Sequence, residues 1–215
     1  MSRYLLGTGA LLLLTLIFIS IVSADEFNGT TYRLTSNQME VTQPVDASAL
    51  NLTLPEKAIN MSLLDFTGRS IGLKESYTFW RGDYIYRIIF DQHVSGKLVY
   101  TLPHQGQNLA LPIKENKNVR IILPPGYTTG DRFFGIALPN PDNIRIDKDV
   151  TELTWRNVSV GEVIDVSYYK SNAPEIVRTV FIAVAIASLI LFADYYASIR
   201  RLRSLRNKDE KSLKH

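Results

Sequence analysis

The sequence predicts a mainly β protein, an antiparallel β-sandwich (Ig-like or jelly-roll-like) or a barrel, followed by one carboxyl-terminal transmembrane helix. Three observations lead to this prediction. Short runs with a period of two recur from Thr30 to Tyr169, broken by Gly, Pro, Asn and Asp, with no long helical period between them. The apolar stretch Ile176–Ile199 is long enough to cross a bilayer. A second apolar stretch, Leu5–Val22, lies near the start of the chain.

The amino-terminal segment, residues 1–24, has the pattern of a secretory signal peptide. Arg3 lies in a short basic head before the apolar run, and Val22 and Ala24 occupy positions −3 and −1 of a possible cleavage site before Asp25. At 18 residues the apolar run is long for a signal, so an uncleaved anchor helix is the alternative. Both forms place the chain after Asp25 outside the membrane.

The outer region, residues 25–173, is predicted to be one domain of short strands. Arg81-Gly82-Asp83 is expected to be a tight turn rather than an integrin-type recognition tripeptide, because Gly-Asp is typical turn chemistry. A further turn is expected at Asp91–Gly96, and Arg156–Gly161 is expected to join its neighbouring strands as a hairpin. The strands are expected at Thr30–Leu34, Gln38–Val45, Asn51–Leu54, Ile59–Leu63, Thr78–Trp80, Tyr84–Phe90, Lys97–Leu102, Val119–Leu123, Phe133–Leu138, Thr151–Trp155 and Val163–Tyr169.

The transmembrane helix is expected over residues 174–199. Thr179–Ala193 contains 15 residues without a charge, a Pro or a Gly. A helix that is apolar on every face satisfies its own backbone hydrogen bonds in lipid and has no favourable place in water. Pro174 suits the first helical turn. Flanking side chains are expected at the membrane interface, where long or aromatic groups reach the headgroups: Arg178, Asp194, Tyr195 and Tyr196.

The residues after the span, 200–215, form a basic tail that predicts the orientation. Seven Lys and Arg residues stand against Asp209 and Glu210, and basic residues are retained on the cytoplasmic side. Arginines near anionic inner-leaflet lipid contribute about 1 kcal/mol each. Either a plain topology signal or a lipid-binding amphipathic turn explains this pattern. The lipid-facing arginines are Arg200, Arg201, Arg203 and Arg206.

The charge of the chain does not indicate nucleic-acid binding. The net charge is +3, but the region from Asp25 to Glu175 has 15 basic and 18 acidic residues, so the positive excess lies in the tail. The chain has no Cys, so the outer domain has no disulfide and depends on packing.

Four Asn-x-Ser/Thr patterns are candidate N-glycosylation sites, and all lie on the side predicted to face outward. The alternative is ordinary strand and turn composition. The candidate residues are Asn28, Asn51, Asn60 and Asn157.

No residue set predicts catalysis, a cofactor or a metal. His93 and His104, with Asp91 and Asp131, are the nearest approach to an acid-base or metal set, but their spacing fits no zinc motif. They are better explained as turn residues. Six aromatic residues could lie in the core or present a binding face: Trp80, Tyr84, Tyr86, Trp155, Tyr168 and Tyr169. Tyr169 is the expected exception to burial, because it points opposite Tyr168.

The order of segments in the carboxyl-terminal part carries a family resemblance. LPPGYTTGDRFFGIALPNPDN is followed by LTWRNVSVGEVIDVSYYKSNAP, one span and the tail IRRLRSLR. From about Val119 to Arg206 the chain resembles an uncharacterised archaeal family of membrane-anchored proteins. That resemblance implies a signal-like start, a β-rich outer domain, one carboxyl-terminal anchor and an Arg-rich tail. It brings no activity. Some members of that family carry a lipoprotein-type Cys after the signal, and this chain has none.

We therefore expect a non-enzymatic, single-span envelope protein of the plasma membrane, with its carboxyl terminus in the cytoplasm. Its outer domain is expected to bind or support a neighbouring membrane or surface protein. The alternative is a carbohydrate-binding or glycan-hydrolysing domain of the envelope, which rests on the aromatic residues and the acidic balance of the outer region. The expected partners are the lipid bilayer and an unidentified envelope or membrane protein, with no nucleic acid.

Overall fold

The computed structural model describes residues 27–212, with side chains through Arg203. The predicted signal or anchor segment, residues 1–24, lies outside the described residues, as does the side chain of Arg206. The elements are β1 (Thr30–Leu34), β2 (Gln38–Leu54), β3 (Ile59–Leu64), β4 (Ser70–Ile71), β5 (Leu73–Trp80), β6 (Asp83–Pro103), β7 (Asn108–Pro112), β8 (Lys117–Ile122), β9 (Tyr127–Thr128), β10 (Ala137–Leu138), β11 (Asn143–Asp147), β12 (Val150–Val158), β13 (Val163–Ser167), β14 (Tyr169–Lys170) and α1 (Ala173–Ser212).

The strands form three sheets in the described part of the chain. The largest has nine strands in the order β11-β12-β8-β1-β2-β6-β3-β4, with β5 also paired to β6. A second sheet has the order β10-β13-β7, and β14 pairs with β9. The mainly β class is confirmed, but the expectation of purely antiparallel pairing is wrong. β1 pairs in parallel with β8, because β8 returns from the second sheet in the direction of β1.

Two long strands dominate the large sheet and correct the predicted turn at Asp91–Gly96. β6 runs through that segment as one strand, and β2 likewise joins the predicted strands Gln38–Val45 and Asn51–Leu54. The turn-forming residues instead produce an irregularity: Ala47 pairs with Val94, whereas Ala49 pairs with Ile89. The extra residues of β6 are accommodated there as a bulge, which bends a ribbon without ending it.

The hairpin expected at Arg156–Gly161 is also wrong, because this segment crosses between sheets. β12 pairs with β8 and β11 in the large sheet, whereas β13 pairs with β7 and β10 in the second sheet. Gly161 N donates to Ile113 O at 2.9 Å and Ile113 N donates to Glu162 O at 2.9 Å, which ties the crossing to the end of β7.

The strand expected at Phe133–Leu138 is reduced to β10 at its carboxyl end. Asp131 organises the preceding residues as a turn, since its carboxylate accepts a 2.8 Å bond from Phe133 N and its carbonyl accepts one of 2.8 Å from Gly135 N. Phe133 is therefore exposed despite the apolar sequence around it.

The two larger sheets contribute to one hydrophobic cluster. Leu98 and Ile121 of the large sheet and Ile164 and Val166 of the second sheet are inaccessible to solvent within it. Trp155 is also buried there, and its indole N–H donates to Pro139 O at 2.8 Å. A shared core of this kind explains how the domain is stable without disulfides.

The predicted carboxyl-terminal helix is confirmed as α1. Among the described residues it is the one helix long and apolar enough to cross a membrane, and its apolar stretch is not buried in the protein. Thr179 Oγ1 donates to Glu175 O at 2.9 Å and Ser188 Oγ donates to Val184 O at 2.8 Å. Both hydroxyl groups thus find hydrogen-bond acceptors within the helix, which is favourable in a lipid environment that offers no water.

Candidate interaction surface

The residues considered for acid-base or metal chemistry each have partners outside the predicted set. His93 Nδ1 is 3.7 Å from Asp46 Oδ1, and Lys74 Nζ donates to Asp91 Oδ1 at 2.9 Å, both on exposed surface. Asp131 stabilises its own turn. No group of three or more His, Cys, Asp or Glu residues could hold a metal ion in the described part of the chain.

His104 connects the end of β6 to the segment before the helix. Tyr168 Oη donates to Gly106 O at 3.0 Å, so its oxygen accepts the hydrogen of His104 Nε2 at 3.1 Å. Burial lowers the pKa of His104 and raises the pKa of Tyr168, which keeps both groups neutral. The His104–Tyr168 hydrogen bond thus connects the segment after β6 to the segment after β13.

All four candidate glycosylation asparagines are exposed. Two of them, Asn28 and Asn157, contact the same side chain: Asn118 Nδ2 donates to Asn28 O at 2.8 Å and Asn157 N donates to Asn118 Oδ1 at 2.9 Å. Their modification stays a prediction.

Three exposed aromatic residues of the outer domain, Tyr77, Phe79 and Trp80, lie together on one β ribbon. It consists of residues 47–54 of β2, all of β5 and residues 83–90 of β6, and we call it the aromatic arm. β5 and β6 are joined by the predicted turn, where Arg81 (φ 53°) and Gly82 (φ 93°) both have positive φ. Two such residues define a type I′ hairpin, which confirms the turn interpretation of Arg81-Gly82-Asp83.

Four aromatic residues lie on one face of the arm because of the strand register. Tyr77 is opposite Tyr86, and Phe79 is opposite Tyr84. The ring centroids of Phe79 and Tyr84 are 4.9 Å apart, and Tyr77 lies 5.3 Å from Tyr86 and 5.8 Å from Tyr84. Cross-strand aromatic pairs of this kind hold a hairpin together.

The inner end of this aromatic face is fixed to the domain. Tyr86 is buried, and its hydroxyl accepts a 2.9 Å hydrogen bond from Ala58 N. Lys57 Nζ lies 5.0 Å from the centre of the Tyr77 ring. The base of the arm is thus attached to the domain by a buried contact, although its outer aromatic residues face solvent.

The outer end of the arm is exposed to an unusual degree for aromatic residues. Tyr77, Phe79 and Trp80 are 46%, 58% and 61% exposed. Arg81 lies 5.7 Å from the centre of the Trp80 ring. Aromatic residues next to arginine are the residue types that dominate binding energy in protein interfaces.

β5 is an edge strand of eight residues. In the described structure it pairs with β6 and with no other strand, so its outer side presents unpaired N–H and C=O groups. Natural proteins usually protect such edges, and an edge left open is a template for an added strand. Lys74 and Glu75 are the only charged residues of β5.

The arm lies far from the anchor along the strand. β6 has 21 residues and runs from the tip of the arm to Pro103, a path along the strand of roughly 70 Å at about 3.3 Å per residue. His104, next to Pro103, contacts Tyr168, which precedes α1 by five residues. The tip and the start of the helix therefore lie at opposite ends of β6.

The residues predicted for the membrane interface lie on one continuous helix. The apolar stretch and the arginines after it belong to α1 without a break, and their side chains are exposed. These residues are Arg178, Asp194, Tyr195, Tyr196, Arg200, Arg201 and Arg203.

The six aromatic residues singled out in the sequence divide between core and surface. Tyr86, Trp155 and Tyr168 are buried, Tyr84 and Tyr169 are partly buried, and Trp80 is exposed. Sequence reasoning missed Tyr77 and Phe79. Their alternation with Tyr84 and Tyr86 across a two-residue turn was the signal that could have placed all four on one face.

Comparison with known proteins yields one family. The sequence matches no curated protein. Residues 30–213 match the model of a family described as "Family of unknown function (DUF5803)", which covers nearly all of the described structure. The chain therefore belongs to DUF5803.

Proposed function

We propose that this chain is a single-pass membrane protein whose outer domain binds an extended segment of a neighbouring envelope protein by strand addition to β5. The open edge of β5, flanked by the exposed aromatic residues of the arm, is the observation that carries the proposal. In strand addition, main-chain hydrogen bonds supply affinity and side-chain contacts on the two faces supply specificity.

The arm provides both components. β5 is long enough to pair over eight residues, which is longer than a typical strand. Tyr77 and Phe79 project to one face beside the added strand, and Thr78 and Trp80 project to the other. A partner strand with apolar residues on both faces complements this edge, because neither face of β5 is dominated by charge.

The remaining parts of the proposal concern location. The domain is a two-layer β-sandwich outside the plasma membrane, α1 crosses the bilayer, and the arginines after Ile199 lie at the cytoplasmic leaflet. The positive-inside rule and the exposed apolar surface of α1 support this arrangement. In it, the arm reaches away from the anchor by up to the length of β6 and so meets partners above the membrane.

The glycan alternative receives less support at the arm. The ring of Tyr84 is tilted by 53° to that of Tyr77 and by 51° to that of Phe79, so these rings do not form the flat platform on which a sugar ring stacks. Hydrolysis would also need two facing carboxylates about 5 to 9.5 Å apart.

The proposal is tested with full-length protein bearing a photo-crosslinking residue at Thr78, and the same residue at Phe133 as a control. Phe133 is 94% exposed but lies outside the arm. We expect a specific adduct from position 78, its loss in Phe79→Ala/Trp80→Ala, and its retention in Phe133→Ala.

The binding mode needs a second measurement. Strand addition slows hydrogen exchange of amides in Leu73–Trp80 when the partner is present. A partner that binds without protecting these amides, or that binds equally well to the Phe79→Ala/Trp80→Ala variant, would contradict the proposal.

A further inference from the structure

The loop between β9 and β10 presents an aromatic side chain almost wholly to solvent. It consists of Gly130–Gly135, and we call it the Phe133 loop, because Phe133 near its tip is 94% exposed. Gly130 N donates to Gly135 O at 2.9 Å, which closes the loop across its two ends. Arg132, beside Phe133, is exposed as well. The backbone thus holds an arginine and a phenylalanine next to each other outside the core.

The Phe133 loop packs against the segment that leads into α1. The ring centroids of Phe134 and Tyr169 are 5.3 Å apart. Ile136 N, directly after the loop, donates to Ser167 Oγ at 2.9 Å, and Ser167 N donates to Ile136 O at 2.8 Å. A Cβ at Gly135 would lie 2.5 Å from Ser167 O, so this close approach requires the glycine. The loop is therefore attached to the last strand segments before the helix.

Almost no chain separates these strand segments from α1. Ser171, directly after β14, donates its N–H to Gly126 O at 3.0 Å. Helical hydrogen bonding begins one residue later, where Ile176 N donates to Asn172 O at 3.1 Å. The base of the domain is thus joined to the helix without a slack linker.

In the proposed arrangement, the length of the apolar stretch places the start of α1 among the lipid headgroups. The 15 residues of Thr179–Ala193 span about 22 Å, whereas the hydrocarbon core is about 30 Å thick. About one turn at each end therefore enters the core as well, which leaves Ala173 within the headgroup region, about 5 to 8 Å deep. The chain from Tyr169 to Ala173 covers at most about 14 Å, so the Phe133 loop lies within reach of the same region.

We propose that the Phe133 loop contacts the outer leaflet of the bilayer, with the Phe133 ring among the upper acyl carbons and the Arg132 guanidinium on a lipid phosphate. Aromatic rings suit this level of a membrane, and arginine binds phosphate through paired N–H donors. We infer lipid as the occupant, because α1 brings the bilayer next to the loop. A second contact beside α1 fixes the tilt of the domain and holds the aromatic arm away from the membrane.

This inference rests on the proposed placement of α1 in the bilayer and does not involve β5. Its test uses single-cysteine variants of the full-length protein, because the chain has no Cys of its own. Phe133→Cys is labelled with bimane and reconstituted in phosphatidylcholine vesicles, with and without lipid spin-labelled along the acyl chain. We expect the spin-labelled lipid to quench most of the emission at position 133. The high exposure of Phe133 makes this substitution compatible with folding.

Phe66→Cys is the matched control, because Phe66 is also an exposed phenylalanine, at 60%. It follows β3, in which Leu64 pairs with Lys97 of β6. Position 97 precedes His104 by seven residues, roughly 23 Å along the strand, and His104 contacts Tyr168 at the base of the domain. We therefore expect the emission at position 66 to be unchanged by spin-labelled lipid.

A third label separates the loop contact from the placement of the helix. Ala187→Cys lies within the apolar stretch of α1 and should be quenched if the helix is inserted. Quenching at 187 and 133, but not at 66, supports the contact. Quenching at 187 with equal, unquenched emission at 133 and 66 would overturn the contact and leave the span intact. No quenching at 187 would contradict the proposed span, and this inference with it.

The role of Arg132 has its own test. Arg132→Gln added to the labelled Phe133→Cys variant removes the phosphate contact and should reduce the quenching at position 133. Unchanged quenching would overturn the assignment of Arg132 to lipid phosphate. Circular dichroism of each variant checks that the fold is retained.

Discussion

Replacing the buried tryptophan, Trp155→Phe, tests the shared core most directly. Trp155 is 2% exposed, and its indole N–H is bonded to Pro139 O at 2.8 Å. The smaller ring gives up about 50 Å² of buried surface, or about 1.3 kcal/mol at about 25 cal/mol per Å². Loss of the donor leaves the Pro139 carbonyl unpaired, which costs a further 1 to 2 kcal/mol, roughly. We expect a destabilisation of about 2 to 3 kcal/mol.

The chain offers a matched control, because it has only two tryptophans. Trp80 is 61% exposed, so Trp80→Phe is expected to change stability by about 0.5 kcal/mol or less. Thermal unfolding of both variants measures the difference. At about 2 to 4 °C per kcal/mol for a domain of this size, Trp155→Phe is expected to unfold roughly 4 to 12 °C below the parent protein.

Fluorescence provides an independent readout of the same pair. The Trp80→Phe variant retains Trp155, whose emission should be blue-shifted and resistant to acrylamide quenching, while the Trp155→Phe variant should be readily quenched. Equal unfolding temperatures for the two variants, or equal quenching, would refute the placement of Trp155 in a core shared by both larger sheets.

Two further predictions concern single positions. A Cβ at Gly96 would collide with the Leu64 carbonyl across the β3–β6 pair, so Gly96→Ala is expected to destabilise the domain by about 1 to 3 kcal/mol in denaturant unfolding. Gly72→Ala is the control and should be near neutral, because a Cβ at Gly72 meets no other atom. Equal effects of the two substitutions would contradict the strand packing. Burial lowers the pKa of His104 below its value of about 6.5 in the unfolded chain. The contribution of neutral, buried His104 to the free energy of unfolding is therefore complete above about pH 6.5, and it is lost as the pH falls from there through the lowered pKa of the folded state. Unfolding temperatures at pH 7.5 and 5.5 should differ less in His104→Asn, and an unchanged difference would rule out the buried contact with Tyr168.

The sequence allowed prediction of those strands whose side chains alternate between core and solvent. β1, β8 and the start of β13 were recognisable because buried residues alternate there with more exposed ones, as they do in the first four residues of β12. β11 was missed because all five of its residues are exposed, which leaves no alternation to detect. β7, NLALP, ends in proline and resembles a loop by composition.

Pairing was harder to predict than strand content. Asp91, His93 and Gly96 are turn-forming residue types, but the partner strand β2 continues alongside them, so tertiary pairing converts the turn into a bulge. Local composition does not specify which sheet a following strand joins, and the crossing at Arg156–Gly161 was therefore mistaken for a hairpin.

The surfaces proposed for binding depend on contacts that only the structure gives. The sequence named Trp80 and Tyr84 as aromatic candidates, but the open edge of β5 follows from sheet order.

The most direct test of the whole account is the orientation of the chain in the membrane. Because the chain has no Cys, Ser48→Cys in the outer domain and Lys208→Cys in the tail each provide one unique thiol. A membrane-impermeant maleimide added to intact cells should label Ser48→Cys at once, and Lys208→Cys only after permeabilisation. Labelling of Lys208→Cys on intact cells, with Ser48→Cys protected, would contradict an outward-facing domain held by α1.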